Sequence, residues 1–123
     1  MSTGHPHISV SRVYDSRAGV GTRVLVDRIW PRGLRKDEAH LDEWCKDVAP
    51  STALRRWYGH VPELLVEFAR RDRAELSQRL AAAAIELLRE VAETGPVILL
   101  TATKSVNISH AAVLADLLRE PLR

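Results

Sequence analysis

The densest chemistry in the chain lies in "DRIWPRG", Asp27 to Gly33, where two arginines flank a tryptophan and a proline directly after the apolar run "VLV". Guanidinium groups present forked N–H donors that match carboxylate and phosphate oxygens. Pro31 removes a backbone donor and restrains the residue before it, which favours leaving a sheet. Gly33 permits a positive φ or a close backbone approach. Arg28, Trp30 and Arg32 are therefore candidate ligand-binding residues for an anion, with Asp27 able to orient an arginine or a histidine. The same residues also have a structural reading, in which Arg28 pairs with Asp27 or another carboxylate and Trp30 plugs the core.

Two further stretches carry polar side chains at useful spacing. In "APSTALRRWYGH" (49–60), Arg55 and Arg56 precede "WYGH", and His60 stands at a helix end. Histidine titrates near neutrality, so His60 is a candidate proton donor or acceptor; the plainer role is to cap the helix or bond a carbonyl. In "TATKSVNISHAA" (101–112), Lys104 follows an apolar run and His110 stands one turn into the next helix. Free N–H groups at that helix start suit an anion, with Lys104 as a ligand-binding candidate and His110 as a proton-transfer candidate. "TKS" lacks the glycines of a P-loop. Asn107 and Ser109 are candidate caps.

The elements that must position these groups follow from periodicity. "HISVSRVYD" is predicted as a first strand, with Val13 breaking the alternation, and "SRAGVG" as a connector. "TRVLVDRI" is the second strand, and its continuous apolar centre asks for cover on both faces. In "LDEWCKDV", Leu41, Trp44, Cys45 and Val48 recur at the spacing of one helix face, and Pro50 ends that helix. Ser51 caps the next helix, with Leu54, Trp57 and Tyr58 on its inner face and Gly59 at its end. Trp44 and Trp57 are both expected in the core. Pro62 starts a third helix built around Leu65, Phe68, Asp72 and Leu76. A break is expected near residues 77–79, then a helix through "LAAAAIELLREVAET" that stops at Gly95-Pro96. "VILLT" (97–101) is a central strand and "ATKSV" a loop. Asn107 caps a last helix with Ile108, Ala111, Ala112, Ala115 and Leu118 inward.

Strands at both ends of the sequence with helices between them predict an α/β fold: a single layered domain with a small, at least partly parallel sheet and helices packed around it. In such sheets ligands gather beyond the strand carboxyl ends, and "DRIWPRG" and "TATKS" both follow strands. If those strands run the same way, the two segments meet. Residues 1–6 read as a flexible tail and 7–123 as the domain.

The bulk numbers set the class. The chain has 123 residues, 46% hydrophobic and 28% charged, as in an ordinary globular domain. No apolar run approaches the length of a membrane span, and the N-terminal stretch lacks a signal pattern, so a cytoplasmic protein with no membrane partner is expected. The single cysteine excludes an internal disulfide, and the five histidines show no metal-ligand spacing. Cys45 reads as core. No cofactor and no metal are called for. Net charge is only +2, but through Lys36 the basic residues far outnumber Asp15 and Asp27.

Together, "SRVYD", "VLVDRIWPRG", "LDEWCKDVAPSTALRRWYGH", "GPVILLTATK" and "SHAAVLADLL" resemble the YeaO-like branch of domain-of-unknown-function family 488, over nearly the whole chain. The resemblance implies a small bacterial α/β protein. Typical members of the wider group carry "LVDVR", "LLCAEK" and a later "CHR". Against that pattern this chain keeps Asp27, Arg28, Lys104 and His110. It has Thr101 in place of a cysteine and Thr103 in place of a glutamate, and lacks the second cysteine and the arginine. Chemistry that used those cysteines is not open to it.

Two function classes remain. In the first, the strand ends bind a small anionic ligand, phosphate-bearing or nucleotide-like. Arg28, Trp30, Arg32 and Lys104 hold it, and Asp27, His60 and His110 supply any hydrolysis or group transfer. In the second, a non-catalytic module engages nucleic acid or a protein through the basic N-terminal half, including Arg12, Arg17, Arg23 and Arg35.

Overall fold

A computed structural model describes residues 7–15 and 20–120. The segment expected to be a tail, 1–6, and residues 16–19 of the "SRAGVG" connector lie outside the described residues. Strands β1 (Ile8–Arg12), β2 (Thr22–Leu25), β3 (Glu43–Trp44) and β4 (Val97–Thr101) form one four-stranded sheet in the order β1-β4-β2-β3. Every pairing is parallel, with Val10 opposite Leu99 and Val24 opposite both Leu99 and Glu43. The helices are α1 (Lys36–Ala39), α2 (Thr52–Tyr58), α3 (Leu65–Leu76), α4 (Arg79–Thr94) and α5 (His110–Arg119). The expected α/β layered domain is thus present, and β2 and β4 run side by side in the same direction.

β4 is buried at every residue because it is covered on both faces. Val97 and Leu99 join Ile8, Val24 and Val26 against Ala84, Ile85 and Leu88 of α4 and Leu114 and Leu118 of α5. Ile98 and Leu100 join Val13 and Leu25 on the other face, under Trp30, Leu34, Leu41 and Trp44. A third cluster, Leu54, Tyr58, Phe68 and Val113, locks α2, α3 and α5 together.

The local signals account for most boundaries. Ser51 caps α2 through its hydroxyl, which accepts from the Leu54 N–H, and Gly59 closes it at φ 55°, where a side chain is disfavoured. Ser51 is held in turn by Glu75 of α3, whose carboxylate accepts from its N–H and its hydroxyl. The break between α3 and α4 falls at Ser77 and Gln78, as the shift of the apolar stripe predicts.

Four expectations need correction. "LDEWCKDV" is not a helix: Glu43–Trp44 is an edge strand and Lys46–Val48 a 3-10 turn. The open edge of β2 decides this, because its carbonyls at Arg23 and Leu25 take the Asp42 and Cys45 N–H groups. Trp44 then points to the loop-covered face and Cys45 toward the helices, an alternation that imitates helical spacing over so few residues. The second strand ends at Leu25 rather than running to Ile29, although the Val26 N–H still reaches the Leu100 carbonyl at 3.0 Å. Ser109, not Asn107, caps α5, since a 3-10 turn at Val106–Ile108 comes first and leaves Ile108 outside the helix. Trp57 is 38% exposed and lies under the Arg71 guanidinium, 4.3 Å from the ring centre, instead of in the core.

Candidate functional site at the strand ends

Asp27 leaves the sheet just beyond β2 and turns its carboxylate toward the end of β4. The Thr101 hydroxyl donates to Oδ1 at 2.7 Å and the Ala102 N–H to Oδ2 at 2.8 Å. His110 Nε2 lies 3.1 Å from Oδ1 and 3.1 Å from the Val26 carbonyl oxygen. Both neighbours are acceptors, so this nitrogen carries a proton and shares it between them. Burial pushes the Asp27 carboxyl up. The hydrogen bond and charge of His110, the Ala102 N–H and the Thr101 hydroxyl outweigh that, and hold it below the usual carboxylate range. Asp27 is thus the ionised joint between two strand ends and α5.

The segment after Asp27 is tied down along its length. Trp44 Nε1 donates to the Asp27 carbonyl at 2.7 Å, and Trp30 Nε1 to the Leu34 carbonyl at 2.7 Å. The two indoles meet edge to face at 5.2 Å. The Tyr14 hydroxyl donates to the Arg32 carbonyl at 2.6 Å. Gly33 adopts φ 78° inside a turn closed by the Leu34 N–H on the Pro31 carbonyl, the positive φ that its place in "DRIWPRG" suggests.

Between this segment, α2 and the start of α5 lies a cavity of about 400 Å³. Arg28, Trp30 and Arg32 line one side, Arg55, Tyr58 and His60 another, and Asp27, Thr103 and His110 the sheet end, with Phe68 beside Tyr58. The structure therefore brings together Asp27, Arg28, Trp30, Arg32, His60 and His110. It does not bring Lys104, which is exposed and outside the lining.

Each cationic group sits differently. The Arg28 guanidinium donates to the Ala49 carbonyl at 2.9 Å and to that of Pro50 at 3.4 Å; no carboxylate pairs with it among the described residues. The pairing with Asp27 that a structural role would have used is absent, because Asp27 is already filled by other donors. Arg32 and Arg55 are exposed and take part in no ion pair among the described residues. His60 follows the αL cap of α2 with its own φ at 58° and meets the Tyr58 ring edge to face at 5.8 Å. Arg55 is the lining cation that sequence reasoning did not single out. Its signal is its place one helical turn before the Gly59 cap.

Asp72 is the outlier of this region. It is 1% exposed on α3, one turn beyond Phe68, and neither carboxylate oxygen has a hydrogen-bond partner among the described residues. Burial pushes its pKa up to about 7, against the opposing charge of His110. Elsewhere, burial and then Asp47 and Glu43 push the Cys45 thiol up, so it is no ready nucleophile. Among the described residues no group of three His, Cys, Asp or Glu side chains is placed to hold a metal ion. No helix among them is long and apolar enough to cross a membrane.

A model of the family described as DUF488-N3i, inactive DUF488-N3 subclade, matches residues 7–123. The chain is 52% identical over 112 residues to the uncharacterised protein Rv3073c of Mycobacterium tuberculosis (strain H37Rv), covering 90% of this chain and 92% of that one. It is 41% identical over 115 residues to the uncharacterised protein YeaO of Escherichia coli (strain K12), covering 92% and 97% respectively. No solved structure gives a significant match.

Proposed function

The chain belongs to the DUF488-N3i family, the inactive DUF488-N3 subclade and YeaO-like as its motifs imply, and from that premise we propose that it binds a small phosphate-bearing ligand without turning it over. One observation carries this reading: Arg28, Arg32 and Arg55 converge on a single cavity at the strand carboxyl ends, with no ion pair among the described residues to neutralise them. Its 400 Å³ is of the size that takes a small metabolite. Trp30 adds half-buried indole surface beside the arginines, which suits a ligand with a flat ring next to its phosphate, as in a nucleotide. A cytoplasmic location goes with such a ligand.

Binding fits better than catalysis because two of the three groups that would do chemistry, Asp27 and His110, are already engaged with each other. His110 Nε2 holds its proton between Asp27 and Val26, and the Thr101 hydroxyl donates to Asp27. The family description, inactive, agrees. The basic N-terminal arginines give less support to a nucleic-acid surface. Arg12 donates to the Ala102 carbonyl and Arg23 to that of His40, Arg35 pairs with Asp37, and Arg17 lies outside the described residues.

The test is a titration with inorganic phosphate, AMP and glucose 6-phosphate, followed by tryptophan fluorescence. A saturable change is expected with AMP. It should be lost when Trp30→Phe removes the reporter, and its midpoint should rise about tenfold in Arg55→Ala and in Arg32→Ala, the loss of one charge-assisted contact. No response to any of the three, or arginine-variant midpoints equal to that of the wild type, overturns the reading. Release of phosphate from AMP overturns the claim that there is no turnover.

A further inference from the structure

A second concavity, which shares no lining residue with the first, lies between α4 and the β2–β3 edge, with a volume of about 470 Å³. Its floor is apolar, made by Val24 of β2 and by Ala84, Leu88 and Val91 of α4. Its rim is acidic: Asp42 and Glu43 on the strand side and Glu90 on the helix side. Leu87 lines it while 62% exposed, and Leu80, two turns earlier on α4, is 70% exposed.

The charges on α4 do not serve α4. Glu90 and Glu93 lie toward its carboxyl end, which has no basic residue in its last turn. Acids there oppose the helix dipole, whose negative end favours cations. None of the ion pairs among the described residues uses Glu43, Glu90 or Glu93. Among the described residues β3 is also the last strand in the sheet order, with no neighbouring strand on its outer side.

We propose that this groove docks a basic amphipathic segment of another protein, whose leucine-type side chains fill the apolar floor while its lysines or arginines meet Glu43 and Glu90. Charge complementarity selects this occupant. A second copy docked groove to groove would set one acidic rim against another, and like charges across an interface oppose association. An apolar floor with an ionic rim is how grooves read short amphipathic segments, anchors giving affinity and rim charges giving specificity.

The probe is a fluorescently labelled amphipathic peptide of leucine and lysine, titrated with the full chain and read by anisotropy. The control peptide carries glutamate in place of lysine. The lysine peptide is expected to bind and the glutamate peptide to give no change. Affinity should fall about tenfold in Glu43→Lys/Glu90→Lys and in Leu87→Gln. It should hold in Glu63→Lys, which alters the charge of an exposed residue outside the groove lining. Circular dichroism checks that each variant is folded. Equal loss in Glu63→Lys overturns the proposal, as does binding of both peptides. Sedimentation velocity supplies the remaining arm: a dimer dispersed by Leu87→Gln overturns the heterologous partner in favour of a second copy.

Discussion

The sheet has two covered faces, and they are covered by different means. On one, Val24, Val26, Val97 and Leu99 meet α4 and α5 through aliphatic side chains. On the other, Leu25, Ile98 and Leu100 meet irregular chain, and the cover is Trp30, Leu34, Leu41 and Trp44. A helix satisfies its own backbone, so its buried face need only be apolar. Loops leave carbonyls to be satisfied, and here the indoles do it: Trp30 for Leu34 and Trp44 for Asp27. On the loop face the packing side chains themselves bond the segment that carries the site; on the helix face that link is made by His110 at the start of α5, and the aliphatic packing side chains make none.

Matched truncations test that difference and give the largest effects. Leu99→Ala, on the helix face and fully buried, should cost about 4 kcal/mol in urea denaturation and leave ligand affinity unchanged in the folded fraction. Trp44→Ala should cost about 3 kcal/mol and also weaken the ligand, because the Asp27 carbonyl loses its anchor. Equal loss of affinity in both variants would break the comparison.

The same contrast explains what was legible beforehand. The helix-covered elements α3, α4, β4 and α5 show long periodic stripes or a pure apolar run, and their existence was readable. On the loop face, "LDEWCKDV" was misread because strand alternation and helical spacing coincide over so few residues; the deciding fact, an open edge on β2, is not in that stretch. The site was half legible. "DRIWPRG" and "TATKS" declared themselves by following strands, and the cavity collects Asp27, Arg28, Trp30, Arg32, His60 and His110. Arg55 was hidden because a helical arginine has many ordinary uses. Lys104 was overrated because position in a loop does not fix where a flexible chain points. Asp72 was named only for its place on an apolar stripe; that it has no partner depends on α5, nearly forty residues later.

Asp27 sits where the two faces join, and its removal comes next in size. Asp27→Asn should cost about 3 kcal/mol at pH 7, since it removes the carboxylate that accepts from His110 Nε2 and takes an acceptor from Thr101 or Ala102. The sign with pH follows from its lowered pKa. The carboxylate contributes stability above its unfolded value of 3.8, and that contribution is lost as pH falls through the folded value. Wild type and variant should therefore converge in acid denaturation profiles. A constant gap down to low pH would exclude ionised Asp27 as the joint.

Asp72 is the reverse case on the helix side. Its folded pKa of about 7 lies above the unfolded 3.8, so the proton is held more tightly in the native state. The associated stability is complete below the unfolded value and lost as pH rises through 7. The shift bounds the effect at about 4 kcal/mol, and structural relaxation should leave roughly 2. Asp72→Asn is thus expected to match wild type at pH 4 and to exceed it by about 2 kcal/mol at pH 8. An advantage that does not grow with pH would show that the carboxylate finds a partner in solution.

Arg28 gives the smallest stability effect and the sharpest division between the faces. Its guanidinium spans from the loop after β2 to the Ala49 and Pro50 carbonyls, just ahead of the Ser51 cap. These bonds are only partly buried, so Arg28→Ala should cost about 1 kcal/mol. If the guanidinium also meets the ligand, the same change should raise the AMP midpoint at least tenfold, more than the stability loss explains. Arg28→Lys separates the two roles. A lysine keeps the positive charge in the cavity, but as a point donor it cannot reproduce the fork that reaches two carbonyls. Partial recovery of AMP binding without recovery of stability would assign the charge to the ligand and the fork to the loop. An AMP midpoint that in Arg28→Ala rises no further than the stability loss explains would make Arg28 a brace alone and leave Arg32, Arg55 and His60 to hold the anion.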